Sequence, residues 1–150
     1  MKSNRRIILA SNSPRRKELL EKTGLVFAVV GSGYEEDMTL ELPPRELAKH
    51  LSRGKAEAVA KKYVDALIIG VDTFVTFEDT LLGKPHTPER AKEMLRMLSG
   101  KAHIVITGFT VIDTKNNKSI SEVIESKVYF KNLGEEEINS YVETGEPLDK

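Results

Sequence analysis

Short apolar runs that alternate with helical segments constrain the fold of this chain more than any other feature of its sequence. The runs Ile7–Ala10 and Ala66–Val71 have the length and apolar composition of buried strands. The segment 43–63, which lies between them, begins at a double proline and carries apolar residues at roughly helical spacing. Strands and helices in this order predict an α/β fold with a mixed central sheet flanked by helices.

Helix caps and turn residues locate the other elements. Ser13-Pro14 and Thr87-Pro88 are typical helix starts, whereas Gly24 and Gly100 are typical helix ends. The pattern predicts helices over 14–23, 44–63, 88–99 and 135–142, and strands over 7–10, 27–30, 66–71, 104–112 and 121–130. Segment 74–77 is predicted either to continue the third strand or to pair with it.

Composition excludes several classes of function. The 150-residue chain has no cysteine, which rules out disulfides and thiolate metal sites, and its three histidines lack zinc-ligand spacing. A bound metal would therefore use oxygen ligands and be Mg²⁺ or Mn²⁺. With 23 basic and 23 acidic residues, the chain has no net charge to attract nucleic acid. No apolar segment approaches about 18 residues, so we expect no membrane segment or signal peptide and a cytoplasmic protein.

Three charged segments beside predicted strand ends are candidates for a ligand site. In segment 11–16, two serines and two arginines surround a helix start, an arrangement that binds anions; a capped helix with solvated arginines is the alternative. Asp72 follows a buried strand, where a carboxylate needs a metal or hydrogen bonds; a turn-capping aspartate is the alternative. Lys84, between Gly83 and Pro85, is either a mobile cation for phosphate or a solvated lysine, and Lys55 is a weaker candidate of the same kind.

The charged groups of these segments complement one another chemically. Carboxylates can hold a divalent ion, while cations and a helix N-terminus can hold a polyphosphate. The chain has no obvious serine–histidine pair and no Walker A pattern. The set favours metal-assisted hydrolysis of a phosphoanhydride over acyl transfer or redox chemistry.

Several motifs, in order along nearly the whole chain, resemble those of the Maf (septum formation) family. The motifs are Ser11-x-Ser13-Pro14-Arg15-Arg16 with Glu18-Leu19-Leu20, Glu35-Glu36, Lys55-Ala56, Gly70-Val71-Asp72-Thr73, Gly83-Lys84-Pro85, Met94-Leu95 with Leu98-Ser99-Gly100, Tyr141-Val142, and Thr144–Lys150.

The resemblance implies a fold related to inosine triphosphate pyrophosphatases, with two lobes and a cleft. It also implies hydrolysis of nucleoside triphosphates to the monophosphate and pyrophosphate with Mg²⁺ or Mn²⁺, and a homodimer. Family members continue into a glycine-rich stretch beyond the position of Lys150. Residues 1–150 are therefore expected to form a single Maf-like domain without the C-terminal part of the family fold.

The resemblance also assigns roles to individual residues. It implies that Asp72 is the proton acceptor and that Glu36 is the other key carboxylate. We expect Asp72, aided by Glu36, to hold the metal and activate water. Arg15 and Thr73 are similar to the branch of the family that acts on dTTP and UTP. A purine pyrophosphatase and a non-catalytic, nucleotide-binding regulator of septation are the alternatives. The residues expected to bind substrate are Ser11, Ser13, Arg15, Arg16, Lys55, Thr73 and Lys84.

Overall fold

The computed structural model describes residues 5–37 and 39–149, which form strands, α-helices and a terminal 3₁₀ helix. None of the helices in these residues has the length and apolar composition needed to cross a membrane. The strands are β1 (Arg6–Ala10), β2 (Ala28–Val29), β3 (Ala66–Phe77), β4 (Thr80–Leu82), β5 (Ala102–Asp113) and β6 (Lys118–Tyr129). The helices are α1 (Pro14–Glu21), α2 (Pro44–Ala60), α3 (Pro88–Leu98), α4 (Glu135–Glu143) and the 3₁₀ helix Glu146–Asp149.

The strands form a mixed sheet, as the sequence predicts. Their order is β2-β1-β3-β5-β6, and β4 pairs with β3 outside this path. Strand β1 is parallel to both of its neighbours, with Ile8 opposite Ala28 on one side and Ile68 on the other. The pairing of β3 with β4 is antiparallel and places Val75 opposite Leu82. The α/β prediction is therefore confirmed.

The chain divides into two units. The first contains residues 5–37 and 39–73 together with 107–124, and the second contains 74–106 and 125–149. The boundaries fall inside β3, β5 and β6, so each of these strands contributes residues to both units. Two units agree with the expected two lobes, whereas the cleft between them stays a prediction.

The core of the first unit joins α2 to β1 and β3. Glycine is required where the helix meets the strand, because a Cβ on Gly70 would lie 2.2 Å from the carbonyl oxygen of Ser52. In the same way, a Cβ on Gly108 of β5 would lie 2.3 Å from the carbonyl oxygen of Ala48. Small side chains thus let the helix lie directly on the sheet. The buried residues of this core are Ile8, Ala10, Ala56, Val59, Ala66 and Ile68.

In the second unit, α3 and α4 pack together through Ala91, Ile138 and Val142. Helix α3 begins as predicted, since the Thr87 hydroxyl accepts a hydrogen bond from the backbone N–H of Arg90 at 3.2 Å. The turn between β3 and β4 falls at residues 78 and 79, and both have positive φ, 48° and 62°.

Four details differ from the sequence-based predictions. Strand β3 runs without a break from Ala66 to Phe77, so Asp72 lies within a strand and not at its end. Ser13 occupies the N-cap position of α1, but its side chain makes no capping hydrogen bond. Helix α2 ends at Ala60, before the predicted end at Tyr63, and strand β4 was not predicted. The β-branched and aromatic residues 74–77 favour continuation of the strand.

Candidate active site

Asp72 lies on the face of β3 that packs against α2. Side chains alternate along a strand, so Asp72 shares this face with Gly70 and Ile68. It is only 7% exposed, and burial of a carboxylate is costly without a partner. Lys55 of α2 supplies that partner, because its ammonium donates a hydrogen bond to Asp72 Oδ1. The close packing of α2 on Gly70 brings the two side chains together.

Glu36 reaches the same ammonium from a different part of the first unit. It lies in the segment 30–37, which follows β2 and has no regular secondary structure. Its Oε1 is 2.7 Å from Lys55 Nζ, and the side chain is 37% exposed. Lys55 therefore bridges two carboxylates that are 36 positions apart in sequence and come from a loop and a strand.

The surroundings of Asp72 favour its protonated form. Burial raises the pKa of Asp72 above its ordinary value, and the negative charge of Glu36 acts in the same direction. The hydrogen bond and charge of Lys55, and the charge of Arg16, oppose the rise without cancelling it. Asp72 is thus a carboxylate with increased basicity, as a general base requires.

Arg16 is a second cation, and its charge interacts with those of Asp72 and Glu36. Burial lowers the pKa of its guanidinium, while the charges of Asp72 and Glu36 raise it. Its Nη1 donates to Ser11 Oγ at 3.3 Å. The Ser11 oxygen also accepts from the backbone N–H of Ser13 at 3.1 Å. Both bonds use Ser11 as the acceptor, so its own hydroxyl hydrogen is the donor that remains for a ligand.

The structure thus brings Glu36, Lys55 and Asp72 together, with Ser11 and Arg16 as neighbours. Arg15 is exposed at the start of α1, as a solvated cation would be. Thr73 follows Asp72 in β3 and lies on the opposite face of the strand, where its hydroxyl is 3.1 Å from that of Thr107. Lys84 lies in the second unit, in the exposed loop between β4 and α3. The substrate contacts of these three residues stay predictions.

The donors at this site suit a hard divalent cation. Mg²⁺ in nucleotide sites is held by one or two carboxylates together with water and substrate phosphates, and Asp72 and Glu36 supply two. No group of three or more acidic or histidine side chains able to share a metal occurs within residues 5–37 and 39–149. Asp72 and Glu36 would therefore supply two oxygen donors and leave the other positions around an ion to water and substrate oxygens.

Sequence reasoning did not single out Tyr34, which lies two positions before Glu36. The ring of Tyr34 lies against Gly54 of α2, one residue before Lys55. The signal was the glycine itself, because glycine inside a helix is unfavourable and often marks a close approach.

A buried carboxylate, a bridging lysine and a neighbouring serine–arginine loop on a mixed sheet define an α/β protein with a charged candidate site. Its fold is similar to that of the Staphylococcus aureus Ham1 protein, with a TM-score of 0.56 and 15% identity over 83% of this chain and 71% of that one.

The particular family follows from the sequence comparison. The chain belongs to the Maf family, since the model of Maf-like proteins matches residues 6–150. It is similar to the dTTP/UTP pyrophosphatases of Alkaliphilus oremlandii, at 48% identity over 97% of this chain and 76% of that protein, and Methanosarcina barkeri, at 48% over 97% and 75%. The dTTP/UTP pyrophosphatase of Bacillus cereus strain AH820 is 46% identical over 97% and 75%. The resemblance drawn from the motifs is therefore confirmed.

Proposed function

We propose that this chain is a nucleoside triphosphate pyrophosphatase that converts dTTP and UTP to the monophosphate and pyrophosphate. The observation that carries the proposal is the contact of Lys55 with both Glu36 and Asp72, beside Arg16. The names of the similar proteins support the choice of substrate.

In the reaction, Asp72 accepts a proton from a water molecule. The water oxygen forms a bond to the α-phosphorus, the bond from that phosphorus to the α–β bridging oxygen breaks, and pyrophosphate departs. The raised pKa of Asp72 supports this role, because a more basic carboxylate takes a proton from water more readily.

The cations of the first unit bind and orient the phosphates. Arg16 offers a planar donor pair that matches phosphate oxygens, and the Ser11 hydroxyl hydrogen adds a third donor. Lys55 holds Asp72 and Glu36 in one place and adds a positive charge close to the leaving group. Lys84 is proposed as a further phosphate ligand, and Ser13 contributes through the N-terminus of α1.

A divalent cation, Mg²⁺ or Mn²⁺, would be held by Asp72 and Glu36. When bound, such an ion neutralises phosphate charge and makes a water molecule more acidic. In the free protein Lys55 contacts both carboxylates and offsets part of their negative charge.

Arg15 and Thr73 are proposed to select the pyrimidine base. A purine pyrophosphatase would have the same site chemistry, so the preferred substrate separates the two. A nucleotide-binding regulator of septation would bind substrate without turnover. The pair Asp72 and Glu36 beside Lys55 and Arg16 favours the enzyme, because a binding protein gains little from carboxylates beside a polyphosphate.

A panel of dTTP, UTP, CTP, ITP and GTP with pyrophosphate detection tests the proposal. We expect turnover with Mg²⁺, and a preference for dTTP and UTP. Asp72→Asn should lower kcat on the order of 10²–10³-fold, because one group that stabilises the transition state is lost. Asp79→Asn is the matched control, since Asp79 is an exposed turn carboxylate at φ 62°, where asparagine is well tolerated. Wild-type kcat in Asp72→Asn, or nucleotide binding without hydrolysis in the unaltered chain, would contradict the proposal.

A further inference from the structure

The ring of Tyr34 packs on the backbone of α2 at Gly54. A Cβ at position 54 would lie 2.3 Å from Tyr34 Cζ and 2.5 Å from its Cε2, distances that no side chain tolerates. The hydroxyl end lies 3.5 Å from His50 Nε2, one turn earlier on the same helix. The absence of a side chain at position 54 is thus what lets the aromatic ring rest on the helix.

The same glycine precedes the lysine of the site. Lys55 follows Gly54 in α2, and Glu36 follows Tyr34 by two positions in the loop. The loop has a second support at Gly31, where a Cβ would lie 2.7 Å from the side-chain amide of Asn12. Residues 31–37 have no regular secondary structure, so side-chain contacts such as these take the place of a ladder or a helix.

The ion pair between Glu36 and Lys55 does not position the loop by itself. Glu36 is 37% exposed and joins Lys55 through the end of a flexible side chain, while Lys55 itself is 13% exposed. The ring of Tyr34 has few torsions to restrict and packs on the helix backbone, two positions before Glu36. The contact of Tyr34 with Gly54 therefore restrains the loop itself, which the ion pair alone does not.

We propose that Tyr34 is a positioning residue that holds the carboxylate of Glu36 at Lys55 by packing on Gly54. The proposal rests on the proposed pyrophosphatase activity, in which Glu36 acts with Asp72. Within the described residues, neither Tyr34 nor Gly54 has a hydrogen bond or ion pair with Asp72. The proposal adds both to the residues on which turnover depends.

Gly54→Ala gives the sharpest test. Alanine is the better helix former, so this change favours α2 while its methyl group displaces the Tyr34 ring. We expect kcat to fall by about 10- to 100-fold, as misplacement of one reacting group does, while the gain in helix propensity offsets the lost ring contact and the thermal midpoint changes little. Loss of activity without loss of stability is not what a merely structural role would produce.

Variants at Tyr34 complete the test. Tyr34→Ala should lower kcat to the same extent, and Tyr34→Phe should retain it because the ring makes the contact. In the double variant, Gly54→Ala should cause no further loss, since the ring it displaces is already gone. Tyr129→Ala, which removes a tyrosine that is 72% exposed, and Gly134→Ala, where a Cβ meets nothing within 4 Å, are the controls.

Amide hydrogen exchange gives a measurement that does not need turnover. Exchange in residues 31–37 should accelerate in both Gly54→Ala and Tyr34→Ala, and stay unchanged in Tyr34→Phe. Accelerated exchange in a chain that hydrolyses no nucleotide would contradict the proposed function and leave Tyr34 as the support of the loop. Unchanged exchange, additive losses in the double variant, or wild-type kcat in Gly54→Ala would overturn the positioning role.

Discussion

Lys55 determines how two acidic residues can share one small region of the first unit. Its side chain is 13% exposed, and the ammonium contacts Glu36 and the 10%-exposed side chain of Asp72. Buried carboxylates remain ionised only where a cation or hydrogen bonds compensate for lost hydration. The compensation at Asp72 is partial, because its pKa stays raised despite Lys55.

The raised pKa of Asp72 predicts a pH-dependent cost to folding. A carboxyl group whose pKa is higher in the folded chain than in the unfolded one contributes stability below its unfolded pKa of 3.8, and that contribution is lost as the pH rises through the folded value. Asp72→Asn cannot ionise and avoids this loss. We therefore expect the free energy of unfolding of Asp72→Asn to increase relative to that of the wild type as the pH rises from 4 to 7.

Urea unfolding in metal-free buffer at several pH values measures this difference. The control Asp79→Asn should show a constant difference from the wild type over the same range, because Asp79 is exposed. If the free energy of unfolding of the wild type instead increases relative to that of Asp72→Asn as the pH rises, the burial of Asp72 is not what governs its titration.

At the scale of elements, the placement of α2 on β3 makes the site possible. Gly70 lies two positions before Asp72 on the same strand face, and it allows the backbone of α2 to approach. The buried hydroxyl of Ser52 adds a polar contact, 2.9 Å from that of Thr110 in β5. The distance between helix and sheet thus determines whether Lys55 can reach Asp72.

Gly70→Ala should destabilise the fold. Its Cβ would lie 2.2 Å from the Ser52 carbonyl oxygen and 2.7 Å from the Ala56 backbone nitrogen, and backbone atoms cannot rotate away as a side chain can. Overpacking of this kind costs about 1–3 kcal/mol. Chemical denaturation should show that loss, whereas Gly83→Ala, where a Cβ meets nothing within 4 Å, should stay within about 0.5 kcal/mol. Equal midpoints for the two variants would mean that α2 shifts without cost.

At the scale of the whole molecule, Arg5 ties together three separate stretches of the first unit. Its Nε donates to Asp65 Oδ1 at 2.9 Å, and its terminal nitrogens donate to both oxygens of Asp113. Asp65 precedes β3 and Asp113 ends β5, so one side chain connects the starts of two neighbouring strands to the end of a third. The Arg5 hydrogen bond, with help from Asn116, lowers the pKa of Asp113.

Acid should weaken this connection. A carboxylate whose pKa is lowered on folding contributes stability above its unfolded pKa of 3.8, and that contribution is lost as the pH falls towards the folded value. Arg5→Met should therefore reduce stability at pH 7 and differ less from the wild type at pH 3, as unfolding curves at the two pH values would show. Arg90→Met, which removes an exposed pair with Glu93, is the control. A difference that does not depend on pH would show that Arg5 acts through packing alone.

Local signals in the sequence determined most of the elements and the family. Helices α1 and α3 each begin at a proline that follows the N-cap residue, and glycines with positive φ, Gly24 and Gly100, follow their ends. The sequence shows such starts and ends because the preferences of proline and glycine act within one turn of helix. The motifs that carry the Maf resemblance were likewise legible without coordinates, since each is a short run of adjacent residues.

Only the tertiary structure decided which of these residues meet. The sequence placed Asp72 at the end of a strand because a buried charge is unfavourable inside one. The cation that compensates for this burial lies 17 positions earlier, on a helix. Glu36 and Tyr34 lie in a loop with no periodic pattern, so nothing near them in sequence indicates Lys55 or Gly54 as a partner. Helix and strand starts depend on neighbours along the chain, whereas ion pairs and close backbone contacts depend on how α2 and the loop pack in space.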